Sequence, residues 1–389
     1  MNLAGVLSAA PFNGRAAFSF NEFFSVLPSA FTVLSTDSDY LFFGSAFSVG
    51  SKNFPIVLSD GADAKSVIRA TRGESGLVVA VGNGKFISYC RAAAKINGFS
   101  LAAVFTDLSF SYAFTPIVEY LLGGGLVKLD CDLPEKVLID VKKLSTLKKG
   151  ALADGFSFAA SFLCLIPLRS ESFKTPVLAA VNTLLSIKND SFASIVKANL
   201  FAAFASCDGG FYSDAYFIGL ILSLLSGNGE EECCFFACEY VLRLYCLLKT
   251  VDFSSVLSLP DYLTPIDSLA ELTGGKSEKI LSSFCPLSDS EVLSAIAEFK
   301  QKIADNEVID GLFDKLNALK HAYSLVYNGR KNRSRVKRED FVKSVRLAGV
   351  YSSEALKILL SGGFFVKRRI KIKIRVNNLR RNAEVIFYA

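Results

Sequence analysis

At 389 residues the chain exceeds what one hydrophobic core usually supports, which predicts two domains. A hydrophobic fraction of 51% excludes a disordered chain. The net charge of +6 is unevenly placed: residues 330–389 hold 17 Lys and Arg against 4 Asp and Glu, so a basic tail follows a body of about −7.

The apolar runs 156–168 and 217–225 fall short of the roughly 20 residues a bilayer crossing needs and read as buried helices. The first residues, MNLAGVLSAAPFNGRAAF, lack a basic stretch ahead of an apolar one and make a poor secretory signal, so a cytoplasmic location is the expectation. Nine cysteines without paired spacing read as reduced, mostly buried thiols. His321 is the only histidine, which bears directly on any catalysis.

In chain order, the first third alternates strand and helix signals. FTVLST (31–36) precedes a helix-like stretch after Asp37, FPIVLSD (54–60) precedes a helix from about Ala62, and GLVVAVG (76–82) precedes a helix at 85–97. SLAAVF (100–105) and the pair LVKLD (126–130) and KVLID (136–140) follow, with turn residues at 123–125 and Pro134. Short, nearly continuous apolar strands separated by helices predict a parallel sheet covered on both faces. After about residue 145, apolar residues recur three and four apart, predicting helices at 150–165, 175–187, 191–205, 212–226, 231–248, 289–303 and 307–327. In the tail, FFVKRRIKIKIRV (364–376) alternates apolar and basic residues as a half-solvated strand would.

The strand ending at Val81 runs into Gly82-Asn83-Gly84 at a helix start, where unpaired N–H groups and the helix dipole favour a phosphate. Glycine permits close approach and positive φ, and Asn83 tolerates the left-handed region. A GxG turn alone is weak evidence, and a plain strand-to-helix turn accounts for it too.

The order of elements over residues 31–160 resembles the superfamily of iron-dependent alcohol dehydrogenases, glycerol dehydrogenase, glycerol-1-phosphate dehydrogenase and 3-dehydroquinate synthase. The residues that carry the resemblance are Thr36-Asp37 at the end of the first strand, Gly82-Asn83-Gly84-Lys85 at the glycine turn, Phe105-Thr106 after the next strand, and PEKVLIDVKKLSTLKKGALADGFSFAA (134–160) leading into the helices. The glycerol-1-phosphate dehydrogenase branch is the nearest, from Lys85 and the serines of 109–111. The resemblance implies an α/β N-terminal Rossmann-like domain plus an all-α C-terminal domain, the 3-dehydroquinate synthase-like architecture. Its expected bounds are 1–145, 146–345 and a basic segment 346–389.

It further implies an NAD(P) cofactor in the cleft between domains, held by Asp37, Gly82, Asn83, Gly84, Lys85 and Thr106, and a metal held by Asp154 and two histidines. Here Tyr216 and Asn228 stand at the histidine positions. An amide oxygen is a weak ligand and a phenol must first lose a proton near pKa 10, so a metal ion is not expected. The family's aspartate and lysine within the helix are Ser88 and Arg91. His321, on the helical pattern NALKHAYSLVY, reads as a helix-surface or core residue, and Cys233, Cys234 and Cys238 as buried thiols rather than a zinc site.

Three functional readings stay open. One is a divergent member that keeps a cleft for a small phosphorylated or nucleotide ligand but has reduced or lost catalysis. Another is a working NAD(P)-dependent oxidoreductase on a polyol or polyol phosphate, with Lys85 or Tyr216 moving the proton. The third is a protein that meets RNA or an anionic surface through RKNRSRVKR (330–338) and KRRIKIKIR (367–375). No aromatic stacking pattern accompanies those runs, and a lysine-protected strand edge explains the second equally well. A homo-oligomer is compatible with all three.

Overall fold

The computed structural model describes residues 3–9, 12–47, 55–187, 191–250, 263–303, 306–327, 336–352, 355–361, 370–373 and 384–387. Eight strands fall in the first 138 residues: β1 (Ala16–Ala17), β2 (Thr32–Thr36), β3 (Ile56–Leu58), β4 (Leu77–Gly82), β5 (Ser100–Phe105), β6 (Ile117–Leu122), β7 (Gly125–Asp130) and β8 (Lys136–Leu138). Six of them form one parallel sheet in the order β1-β8-β5-β4-β2-β3.

The central strands β4 and β5 carry no polar side chain beyond Ser100 at the start of β5, because both faces are covered. Side chains alternate across a strand, so Val78 and Ala80 enter the large core shared with the helical half. Val79 and Val81 point the other way, onto a cluster built from Phe23, Phe43 and Phe47. Those aromatics come from the N-terminal stretch 20–47, whose rings pack against one another at centroid distances of 5.1–6.1 Å, as in Phe24–Phe47 and Phe23–Phe47.

LVKLD does not pair with KVLID. It forms β7, an antiparallel hairpin with β6 through the turn at Gly123 and Gly124, while KVLID supplies β8 of the parallel sheet. Both turn glycines have positive φ, which fits a tight reversal. The hairpin is tied to the glycine-turn helix Gly84–Asn97 by Arg91. This guanidinium is almost wholly buried and donates to the carbonyls of Tyr112 (2.8 Å), Cys131 (3.0 Å) and Asp132 (3.3 Å).

The remainder is helical. Lys149–Ser161 continues as a 3-10 segment through Leu168 and is followed by Glu171–Leu185, Ser191–Ser206, Asp214–Ser226, Glu230–Thr250, Asp289–Lys302 and Asn306–Tyr327, each at an expected position. By length and hydropathy the stretch Lys149–Leu168 could cross a bilayer, yet 72% of its most apolar window is buried inside the protein, as befits a core helix. Close helix pairs need glycine: a Cβ on Gly219 would come 2.5 Å from the backbone nitrogen of Cys234.

Helices Leu263–Thr273, Ser277–Ser283, Arg338–Ala348 and Ala355–Ser361 have no counterpart in the sequence reading. The boundary expected at 345/346 falls inside Arg338–Ala348, and the chain beyond it packs on the helical half. Ser352 donates its hydroxyl to the buried Asp214, whose other oxygen accepts the Leu356 N–H at 3.3 Å. The expected strand of the tail is present as Ile370–Lys373, paired antiparallel with Glu384–Phe387. Most of the run 330–338, and residues 367–369 and 374–375 of the second basic run, lie outside the described residues.

Replacing Arg91 by Met keeps the apolar stem and strips three carbonyls, two of them in buried contacts, of their donor. The expected loss is about 2–4 kcal/mol of folding stability, read from the urea midpoint at unchanged m-value. A midpoint equal to that of the unaltered chain would show that the staple is dispensable.

Candidate functional site

The sheet places the site. From β2 the chain turns outward to β3, whereas from β4 it turns the other way to β5, and a crevice opens at the carboxyl ends of β2 and β4. Thr36, Asn83 and Thr106 all sit at this rim. Asn83 caps the helix Gly84–Asn97, its side-chain oxygen accepting the Phe86 N–H at 2.9 Å.

The glycines act by size. Asn83 has φ −69 and neither Gly82 nor Gly84 has a positive φ, so the left-handed geometry expected from the sequence is not used. A Cβ on Gly82 would lie 2.5 Å from the Phe86 ring, and one on Gly84 would lie 2.5 Å from Tyr112 and 2.7 Å from the Ser109 carbonyl oxygen. The loop after β5 is seated directly on the turn.

That loop brings a carboxylate. Asp107 accepts the Gly84 N–H at 3.2 and 3.3 Å and is braced from behind by the Ser109 N–H (3.1 Å) and hydroxyl (3.0 Å). Asp39 lies close by, accepting from Thr36 at 2.9 Å and bonded also to the Thr106 hydroxyl and the Asn83 amide. Burial raises the pKa of both acids, that of Asp107 to about 6. Asp37 is exposed in the first turn of helix Asp37–Phe42, so Asp39 is the carboxylate that meets the crevice.

Lys85 reaches across to the helical half, its ammonium 2.8 Å from Glu230. The Glu230 carboxylate raises the Lys85 pKa, so the group stays charged. Beside Glu230, burial and the nearby Glu230 and Asp154 charges push the Glu231 carboxyl up to about 8.

Lys85 and Tyr216 line one pocket of about 300 Å³, together with Tyr89, Tyr112, Glu119 and Tyr120. Tyr216 is buried among Tyr212, Phe217 and Phe211, with ring centroids 5.1, 5.4 and 5.8 Å away. Burial, then the neighbouring Tyr112 and Glu230, hold its phenol well above the ordinary range. Glu119 pairs with Lys128 at 2.8 Å.

The metal expectation can be tested on the donor set. Asp154, on helix Lys149–Ser161, packs beside Gly229. Asn228 turns back on the end of its own helix, its side-chain amide and backbone N–H both directed at the Ser226 hydroxyl (3.1 and 3.3 Å). With a protonated phenol as the third member, these residues do not fit a divalent metal. Among the described residues no group of three or more His, Cys, Asp or Glu is arranged to hold one. His321 is exposed, and Cys233, Cys234 and Cys238 are free buried thiols.

Asp39, Asp107, Glu119, Glu231, Tyr89, Tyr112 and Tyr120 are not singled out by the sequence. Asp107 stands immediately after the expected Thr106, but only the β4–β5 register shows that it meets Gly84.

The raised carboxyls give a pH dependence of known sign. Glu231 and Asp107 ionise near pH 4 in the unfolded chain but near 8 and 6 in the folded one. Between those values the native state binds more protons, so stability falls as pH rises through the window. Urea midpoints taken from pH 5 to 8 should decline, and Glu231→Gln should flatten the upper part of that decline. An unchanged slope in the variant would place the Glu231 ionisation elsewhere.

No protein-family model matches the sequence, and no curated protein matches it. Solved structures do match its fold. Iron-containing alcohol dehydrogenase from Corynebacterium glutamicum is 14% identical, with TM-score 0.52, over 90% of this chain and 94% of that one. Maleylacetate reductase from a Rhizobium species is 18% identical, with TM-score 0.50, over 91% and 96%. Sulfoacetaldehyde reductase from Bifidobacterium kashiwanohense, solved with NAD+, is 12% identical, with TM-score 0.50, over 78% and 96%. The parallel sheet, the helical half and the cleft between them are those of the iron-containing alcohol dehydrogenase fold, of which this chain is a divergent example.

Proposed function

We propose that this chain is a dehydrogenase-fold protein that no longer carries out metal-assisted hydride transfer and uses its interdomain pocket to bind a small organic molecule. The observation that carries this reading is the fate of the two histidine positions. Tyr216 is a buried phenol held protonated, and Asn228 is bonded into its own loop. A Lewis acid in such a cleft would lower the pKa of a substrate hydroxyl so that hydride can leave. Asp154 alone offers no comparable grip.

The pocket supports the binding half of the reading. It lies between the two halves of the chain, as ligand sites commonly do, and its wall combines tyrosines and leucines with the charged Lys85 and Glu119.

A second reading, an NAD(P)-dependent oxidoreductase on a polyol or polyol phosphate such as dihydroxyacetone phosphate, draws on the meeting of Lys85 and Tyr216 in one pocket. Both groups are held in their protonated forms, so they can offer hydrogen bonds to the oxygen of a carbonyl being reduced and are unsuited to taking a proton from an alcohol. The fold shared with a reductase solved with NAD+ is compatible with this direction.

One assay separates the two. The purified chain is incubated with NADH or NADPH and a panel of aldehydes, ketones and dihydroxyacetone phosphate, with added zinc or ferrous ion or with chelator. No consumption of reduced nicotinamide is expected under any condition. Turnover abolished by chelator and restored by metal would overturn the first reading, while metal-independent turnover lost in Tyr216→Phe would favour the second.

A further inference from the structure

We propose that Asp107 is a resident stand-in for phosphate: its carboxylate fills the anion seat at the head of helix Gly84–Asn97 and makes the cleft select against phosphate-bearing ligands, leaving it to uncharged or cationic molecules.

A helix start following a glycine turn ordinarily offers free N–H groups to a phosphate. Here three of the donors are committed to acceptors within the chain. The Gly84 N–H goes to Asp107, the Phe86 N–H to the Asn83 side chain, and the Lys85 ammonium to Glu230. Ser109 braces Asp107 through both its N–H and its hydroxyl, so the contact is held from two sides. The space above the turn is filled as well, by Ser109 and Tyr112 against Gly84.

Charge acts in the same direction. Asp39 sits beside Asp107 on the α/β side, and Glu230 and Asp154 supply negative charge from the helical half, with Lys85 as the cation among them. A pyrophosphate arriving at Gly84 would meet like charges on both walls, with the nearest lysine already paired. This inference stands apart from the functional reading above: metal-dependent turnover would overturn that reading, whereas nucleotide binding at neutral pH by the unaltered chain, as tight as in D107S, overturns this one.

The test titrates the full-length chain and its D107S and D107N variants with NAD+ and with inorganic pyrophosphate by isothermal calorimetry near neutral pH. The unaltered chain should give no binding heat. D107S, which frees the Gly84 amide and removes the charge, should gain affinity for both probes by at least about tenfold, with D107N between them. Equal affinity in the unaltered chain and D107S, or no gain in a D107S variant that keeps the parent circular dichroism, overturns the proposal. Should D107S fail to fold, the unaltered chain gives a second reading, because the pyrophosphate of NAD+ keeps its charge over the relevant range. Its affinity should rise as pH is lowered through about 6, where Asp107 loses its charge. Asp39 faces the same crevice and its pKa is raised as well, so D107N, if folded, must show a smaller rise. A flat affinity in the unaltered chain also overturns the proposal.

Discussion

The β4–β5 ladder pairs Leu77 with Ser100 and Gly82 with Phe105, so the chain leaves both strands at the same height and on the same side of the sheet. The apolar side chains of these strands are buried on both faces, and a slip of one residue would carry each of them to the opposite cluster. The register is therefore strongly specified, and with it the meeting of two turns: residues 82–84 after β4 and residues 106–109 after β5. Everything described at the crevice follows from that juxtaposition, including the seat of Asp107, the Thr106 bond to Asp39, and the need for a residue without a side chain at position 84.

Two residues that the sequence resemblance sets at ligand positions are used for structure instead. At the place of the family's helix lysine, Arg91 is withdrawn from the cleft and spends its donors on three carbonyls of the neighbouring loop and hairpin. At the place of one histidine, Tyr216 joins a run of stacked and edge-on rings through Tyr212 and Phe211. In both cases a group that would have faced a ligand instead satisfies the protein interior. The helical wall of the cleft is set by close helix packing, as at Gly219 against Cys234.

Much of this architecture was legible in the residues. Strands buried on two faces write continuous apolar runs, and long amphipathic helices write a three-and-four spacing, so the sheet and the principal helices stood at their expected places. Shorter elements were less visible. β1 is two residues long, and β6 carries a glutamate whose partner, Lys128, lies across the hairpin, so its alternation reads only once β7 is beside it. The helices after residue 338 mix their apolar residues with many charges, which concealed their buried face. At the site, the glycine turn was legible as a turn, but its reason was not. Positive φ is a property of local sequence, whereas the contacts that exclude a Cβ from Gly84 come from Ser109 and Tyr112, some 25 residues away. Asp39 and Asp37 differ in sequence only by two positions, and the cap supplied by Thr36 decides which of them turns inward.

The hydroxyl of Tyr351 bonds the carbonyl of Gly124 at the hairpin tip, a contact that bridges 227 positions of chain. Together with the clasp of Ser352 and Leu356 on Asp214, it backs Gly124 of the pocket wall with residues far along the chain. A nascent chain on the ribosome can lay down its parallel sheet early, but Gly124 and Asp214 gain these partners only once residues 351–356 have emerged, so the hairpin tip is the later of the two to be fixed.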